Sequence, residues 1–159
     1  MIIYKNSRIS KKLKNNVIAI GNFDGLHLGH QKVLKQARQK AKKNKLKFGV
    51  VTFEPVPVMF FNKSIRNHRI NSLNQKISFL KKSKLDFLKI IKFNKKFSNY
   101  TPLKFIKDII YKNLKARYIF VSKNFKFGKD RKGNIKTLKE YEKDFFYKTI
   151  INHYNIFVS

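Results

Sequence analysis

Two histidines three residues apart, His27 and His30, stand in a glycine-rich stretch that opens with an apolar run, V-I-A-I-G-N-F-D-G-L-H-L-G-H over residues 17–30. Imidazole donates hydrogen bonds to phosphate oxygens and, when charged, stabilises developing negative charge. Gly29 between the two lets backbone pass close to a ligand. Three readings are open from these residues: work on a phosphate, a pair of helix-start residues that cap or pack, or a metal pair. The metal reading is short of ligands, because the chain has no cysteine and His68 and His153 lie far off in sequence.

The elements that must hold this stretch follow from its neighbours. Residues 17–21 read as a buried parallel strand, and Val33, Leu34, Ala37 and Ala41 recur at helical steps over about 29–44. Strand, glycine-rich turn and helix bring backbone N–H groups and a positive dipole end to an anion. Neither the Walker pattern nor the dinucleotide fingerprint is present, since the glycines stand at 21, 25 and 29. Further strands are expected at residues 2–4, 48–53, 87–93, 117–122 and 147–151. Residues 6–16 read as a loop. Ser72 caps a helix bearing Leu73, Ile77 and Leu80. Thr101-Pro102 starts another that turns Leu103, Ile106, Ile110 and Leu114 inward, and residues 136–145 form a third with Leu138, Tyr141 and Phe145 inward. This alternation predicts an α/β fold, a parallel sheet with right-handed crossovers and helices on both faces.

Three unusual loops, at 22–30, 54–61 and 123–134, all follow expected strands. In a parallel sheet they share one edge, where one cleft can use them all. Asp24 and Glu54, the only acidic residues before Asp86, fall on two of them. Asp24 can cap the helix, orient a histidine or help hold Mg²⁺ through water, or it is a turn residue before Gly25. Glu54 reads as a surface residue. Pro55-Val56-Pro57 forces an extended path, after which Val58, Met59, Phe60 and Phe61 put an apolar cluster on an expected loop, to cover a planar ring or to pack on the core. Residues 62–71, with Arg66, His68 and Arg69, are polar.

G-N-F-D-G-L-H-L-G-H at 21–30 resembles the G-x-F-D-G-x-H-x-G-H signature of the nucleotidylyltransferase superfamily, and more closely the adenylyltransferase module of the bacterial bifunctional riboflavin kinase/FAD synthetase family. T-F-E-P-V-P at 52–57 resembles that family's T-F-x-P-H-P, and V-S-K-N-F-K-F-G at 121–128 with R-K-G-N at 131–134 resembles its V-G-x-D/N-F-x-F-G…G-N segment. The motifs span nearly the whole chain in the family's order. The resemblance implies a Rossmann-like HxGH nucleotidyltransferase that transfers AMP from ATP, with Mg²⁺, to FMN to give FAD. It implies His27 and His30 as catalytic residues. It assigns Gly21, Asn22, Phe23, Asp24, His27, Gly29 and His30 to ATP, and Pro55, Asn124, Phe125, Phe127 and Gly128 to the flavin. Alternatives are an HxGH enzyme acting on pantetheine phosphate, a nicotinate nucleotide or a polyol phosphate, and a non-catalytic basic nucleotide- or nucleic-acid-binding remnant.

The chain departs from the pattern in three places. Val56 stands where the family usually has histidine, and Ser122 where it usually has glycine. The sequence also stops at Ser159, ahead of the family's I-S-S-T-x-I-R phosphate-binding segment and its riboflavin kinase domain. The resemblance therefore implies one FAD synthetase-type domain over residues 1–159, truncated at its C-terminus and without kinase activity.

At 159 residues and 42% hydrophobic content the chain can build a real core. The absence of cysteine excludes disulfide and thiol chemistry and fits a reducing compartment. The basic first 16 residues lack the apolar stretch of a signal peptide, and no run approaches a membrane span, so a cytoplasmic protein is expected. The net charge of +30, from 38 Lys plus Arg against 8 Asp plus Glu, attracts polyanions. Only six of the 38 are arginine and the lysines are dispersed through every segment, which favours weak nonspecific binding over a specific nucleic-acid site.

Overall fold

Among the described residues the apolar runs become six strands, all parallel. The computed structural model describes residues 1–24, 28–62 and 72–152. In chain order they form β1 (Ile2–Tyr4), β2 (Asn16–Ile20), α1 (Leu28–Lys43), β3 (Lys47–Glu54), α2 (Pro57–Phe61), α3 (Leu73–Lys81), β4 (Phe87–Lys92), α4 (Lys95–Ser98), α5 (Pro102–Lys104) running on as a π-helix over Phe105–Asn113, β5 (Ala116–Ser122), α6 (Ile135–Glu140), α7 (Glu142–Phe145) and β6 (Lys148–Asn152), with 3-10 turns at Lys11–Leu13 and Lys129–Arg131. One six-stranded sheet runs in the order β1-β4-β3-β2-β5-β6. Every neighbouring pair is parallel.

Burial on both faces explains why the inner strands read as unbroken apolar runs. All five residues of β2 are buried. Ile18 and Ile20 pack on one side with Val51, Phe53, Ile106 and Ile110, whereas Val17 and Ala19 pack on the other with Val33, Leu34, Ala37 and Leu80. Successive side chains along a strand point to opposite faces, so one five-residue run supplies two cores. Helix α1 and helix α3 cover one face, and the π-helix covers the other. Ser72 starts α3 through a full capping box with Gln75.

The bottom of the sheet carries an irregularity. Asn16 pairs with Ala116 but Val17 pairs with Tyr118, so β5 holds one extra residue there. The Asn16 side chain, fully buried, donates to the carbonyls of Leu13 at 2.9 Å and Leu114 at 3.1 Å.

Several local expectations change. Residues 6–16 are not only loop: Ser10 accepts from the Lys12 amide and starts the 3-10 turn, which buries Leu13, with Ile9 also in the core. The apolar segment after Pro57 is a short helix, because the proline sits at a first-turn position where its missing N–H costs nothing. The helix expected over 136–145 is two, broken at Tyr141. Leu103 does not face the core but is 42% exposed, because Phe105 takes the inward position with Ile106, Ile109 and Ile110. Arg66, His68, Arg69 and His153 lie outside the described residues. Among the described residues no helix is long and apolar enough to cross a membrane.

Candidate active site

Sheet order reverses between β2 and β5: β3, β4 and β1 lie to one side, β6 to the other. Open α/β sheets take ligands at such a switch point, beyond the strands' carboxyl ends. A cleft of about 760 Å³ opens there, lined by Gly21, Asn22, Phe23 and His30 on one side and by Ser122, Asn124, Phe125, Phe127 and Gly128 on the other.

The turn after β2 is held by polar contacts from beneath. The Gly21 amide donates to the Val51 carbonyl at 3.1 Å. The Thr52 hydroxyl donates to the Asn22 carbonyl at 3.0 Å, and itself accepts from the Lys76 ammonium at 3.3 Å. Phe23 follows in the left-handed region, with φ of 49°. An aromatic residue held there signals a constraint from the surroundings. Its buried ring turns back over Gly21, where an added Cβ would come within 3.3 Å of it, and meets the His30 ring at 5.3 Å. His30, in the first turn of α1, is 5% exposed and also lines the cleft, so it packs and faces the cavity at once. Asp24 is buried in the turn; neither it nor the half-buried Gly29 is a wall residue. His27, with Gly25 and Leu26, lies outside the described residues.

The facing wall is built from rings and glycines. Phe125 and Phe127 stack at 5.4 Å with planes 19° apart, and Phe127, itself buried, rests on Phe105 at 5.1 Å. Phe127 and Gly133 exchange backbone hydrogen bonds of 3.1 and 2.8 Å. A Cβ on Gly133 would come within 2.7 Å of the Phe127 carbonyl oxygen. Gly128 has φ of 79°, and a Cβ there would meet Pro102 at 2.9 Å. Asp130 and Arg131 continue in the left-handed region, at 56° and 55°. The Lys129 amide donates to the Tyr100 carbonyl at 2.7 Å, and Asn134 caps α6 through a capping box with Thr137. Gly133 and Asn134 thus shape the loop from outside the cleft, and exposed Lys126, Lys129 and Arg131 stand in its wall.

A third group was not anticipated. Phe93 and Phe97, which follow β4, line the cleft with Pro57, Val58 and Phe61. Phe61 lies 5.7 Å from Phe93, Phe93 lies 5.5 Å from Phe97, and Phe97 lies 4.9 Å from Tyr100. Phe61 is 68% exposed, a large apolar ring standing at the mouth. The signal was available, since residues 93–100 are a fourth segment following a strand. Pro55 is half-buried and Val56 is 2% exposed, and neither is a wall residue, whereas Ser122 is one.

The fold and this cleft define a Rossmann-like α/β domain with a cleft at the carboxyl edge of a parallel sheet. Among solved structures, one from Streptococcus pneumoniae described as a macrolide-efflux protein superposes with a TM-score of 0.79 at 25% identity, covering 95% of this chain and 49% of that one. The chain belongs to the FAD synthetase family, whose model matches residues 9–156. It is 38% identical over 142 residues to the bifunctional riboflavin kinase/FMN adenylyltransferase of Buchnera aphidicola subsp. Schizaphis graminum (strain Sg), covering 89% of this chain and 46% of that protein. To the protein of the same name from Buchnera aphidicola subsp. Acyrthosiphon pisum (strain APS) it is 40% identical over 126 residues, covering 79% of this chain and 40% of that one. The chain thus spans less than half the length of these curated relatives.

Proposed function

We propose that residues 1–159 form one nucleotidyltransferase domain that transfers AMP from ATP to FMN, giving FAD and pyrophosphate. The observation that carries this reading is one cleft that brings two unlike walls together: a glycine turn with a histidine at a helix start, facing stacked aromatic rings among exposed basic side chains. Family membership and the activity named for the relatives support it.

In this reaction a phosphate oxygen of FMN attacks the α-phosphorus of ATP in line. The new P–O bond forms as the bond to the bridging oxygen breaks, and pyrophosphate leaves with the electron pair. No covalent enzyme intermediate is required, so the protein contributes positioning and charge stabilisation. His30, His27 and the start of α1 act on the transferring phosphate. Gly21, Asn22, Phe23 and Gly29 shape the nucleotide side, and Asp24 holds the turn. Asn124, Phe125, Phe127 and Gly128 take the flavin, with Phe61, Phe93 and Phe97 extending the apolar surface. Pro55 acts from behind, by setting the path into α2. Among the described residues no cluster of three metal-ligating side chains occurs. Mg²⁺ would arrive on the ATP phosphates and would supply charge neutralisation there.

Incubation of the chain with ATP, Mg²⁺ and FMN, with FAD and pyrophosphate measured over time, tests the proposal. Equimolar formation of both is expected. Flavin binding without turnover would make the chain an inactive relative. Turnover of pantetheine phosphate, a nicotinate nucleotide or a polyol phosphate in preference to FMN would move it to another HxGH branch.

A further inference from the structure

Helix α3 carries a charged residue where its neighbours are apolar. Lys76 is 1% exposed, while Leu80 beside it is core and Leu73 and Ile77 pack against that core. Burying an ammonium is costly unless its hydrogen bonds are used. One of them reaches the signature turn: Lys76 Nζ donates to Thr52 Oγ1 at 3.3 Å, and Thr52, fully buried, donates to the Asn22 carbonyl at 3.0 Å. Direction is built into this relay. An ammonium has no acceptor, so Thr52 must receive with its oxygen and send its proton onward to Asn22.

We propose that Lys76 is a positioning residue for the adenylyl-transfer turn, acting through Thr52; the proposal rests on the function given above. Pinning the Asn22 carbonyl toward β3 holds the Phe23 amide on the opposite side, because the two share one trans peptide plane. Phe23 comes next, at φ of 49°. A left-handed conformation of this kind persists only where the surroundings over-determine it, and the relay is such a constraint immediately ahead of it. Release of the relay lets Phe23 return to negative φ. Its ring then leaves the His30 ring, now 5.3 Å away, and the histidine loses one of the surfaces that orient it.

Two variants test this in the full chain, Lys76→Met, which keeps volume without the donor, and Thr52→Val, which keeps shape without the hydroxyl. Amide hydrogen exchange at residues 21–24 is the first readout. Loss of one buried hydrogen bond to a charged group should raise exchange there by roughly tenfold while β5 and β6 stay protected. The second readout is FAD formation, with kcat reduced about tenfold and the KM for FMN within about twofold of the parent, because flavin contacts lie on another wall. Thr52→Ser, which restores the hydroxyl, should recover both. Unchanged exchange at the turn in Lys76→Met overturns the proposal, whatever Thr52→Val does, as does a uniform rise across the whole sheet. Should Lys76→Met fail to fold, Lys76→Gln takes its place under the same criteria, with the Thr52→Val and Thr52→Ser pair reporting the hydroxyl's share. Should the parent make no FAD, the functional reading fails, and exchange still decides whether Lys76 positions the turn.

Discussion

The two walls of the cleft are made stiff by different means. The wall after β2 is fixed through hydrogen bonds from below, reaching Gly21 and Asn22 from β3 and α3. The wall after β5 is fixed by ring stacking and by glycines that let backbone approach Pro102 and Phe127. Hydrogen bonds are directional and specify where one atom sits, as transfer at phosphorus requires. Stacking is tolerant of sliding and offers area, as binding a planar ring requires. On the proposed function, reaction and recognition fall to separate sides, and substitutions can divide them.

The sharpest division is His30→Ala. If His30 donates to the transferring phosphate as proposed, its removal lowers kcat for FAD formation by about two to three orders of magnitude, about 2.7–4 kcal/mol. FMN affinity by flavin fluorescence titration should change far less. A loss of FMN binding as large as the loss of turnover would break the comparison.

Gly128→Ala attacks the other wall through its backbone. With φ of 79° and Pro102 within 2.9 Å of the added Cβ, the loop must shift. A cost of about 2 kcal/mol in unfolding free energy is expected from the strained conformation. The KM for FMN should rise with it, while saturating turnover is kept nearer the parent value than in His30→Ala.

Phe125→Ala removes only one face of the stack. Phe125 is half-buried and lies on buried Phe127, so the wall itself survives. FMN affinity should weaken by about tenfold, near 1.4 kcal/mol, with kcat little altered. An equal fall in kcat would show that the aromatic wall also positions the reacting phosphate.

The smallest effect serves as a control far from both walls. The Tyr147 hydroxyl donates to the Leu138 carbonyl, and its pKa is raised above the ordinary tyrosine value, first by burial and then by Glu142, Asp144 and Tyr141. A folded-state pKa above the unfolded one gives stability that is present below about pH 10 and lost as pH rises beyond it. Tyr147→Phe should cost about 0.5–1 kcal/mol at pH 8, with the gap to the parent narrowing at pH 11. Denaturant titrations at the two pH values measure it, and kcat and KM for FMN should stay at parent values.

Legibility in the sequence cuts across the two walls. Strands buried on both faces announce themselves as continuous apolar runs, so β2, β3, β4 and β5 were readable. The signature and the F-K-F-G segment were readable because their residue types are unusual together. Phe93 and Phe97 escaped because one phenylalanine at the end of a strand and another beyond a polar spacer look like ordinary packing residues. Only the sheet order, with β4 beside β3, brings them to Phe61. Helical periodicity points Leu103 inward because a 3.6-residue period gives it the same standing as Ile106, while in the structure Phe105 occupies the inward position at the start of the π-helix. Lys76 was invisible as well, since among so many lysines nothing marks the one that folding will bury.

The extra residue in β5 has a reach that its location conceals. It sits between Ala116 and Tyr118, at the end of the sheet away from the cleft. Downstream of it Ile119 lies level with Ile18 and Phe120 with Ala19, each pair sharing a core. Were β5 to run without that step, the pairing would slip by one and every later side chain would turn to the opposite face. Ile119 and Val121 would trade cores with Phe120, and Ser122 would no longer stand where it does across from Gly21. The spacing between the two walls is therefore phased at the far end of the strands, like a vernier whose zero is set away from the scale being read. The buried Asn16 amide, tied to the carbonyls of Leu13 and Leu114, is the catch that keeps this setting.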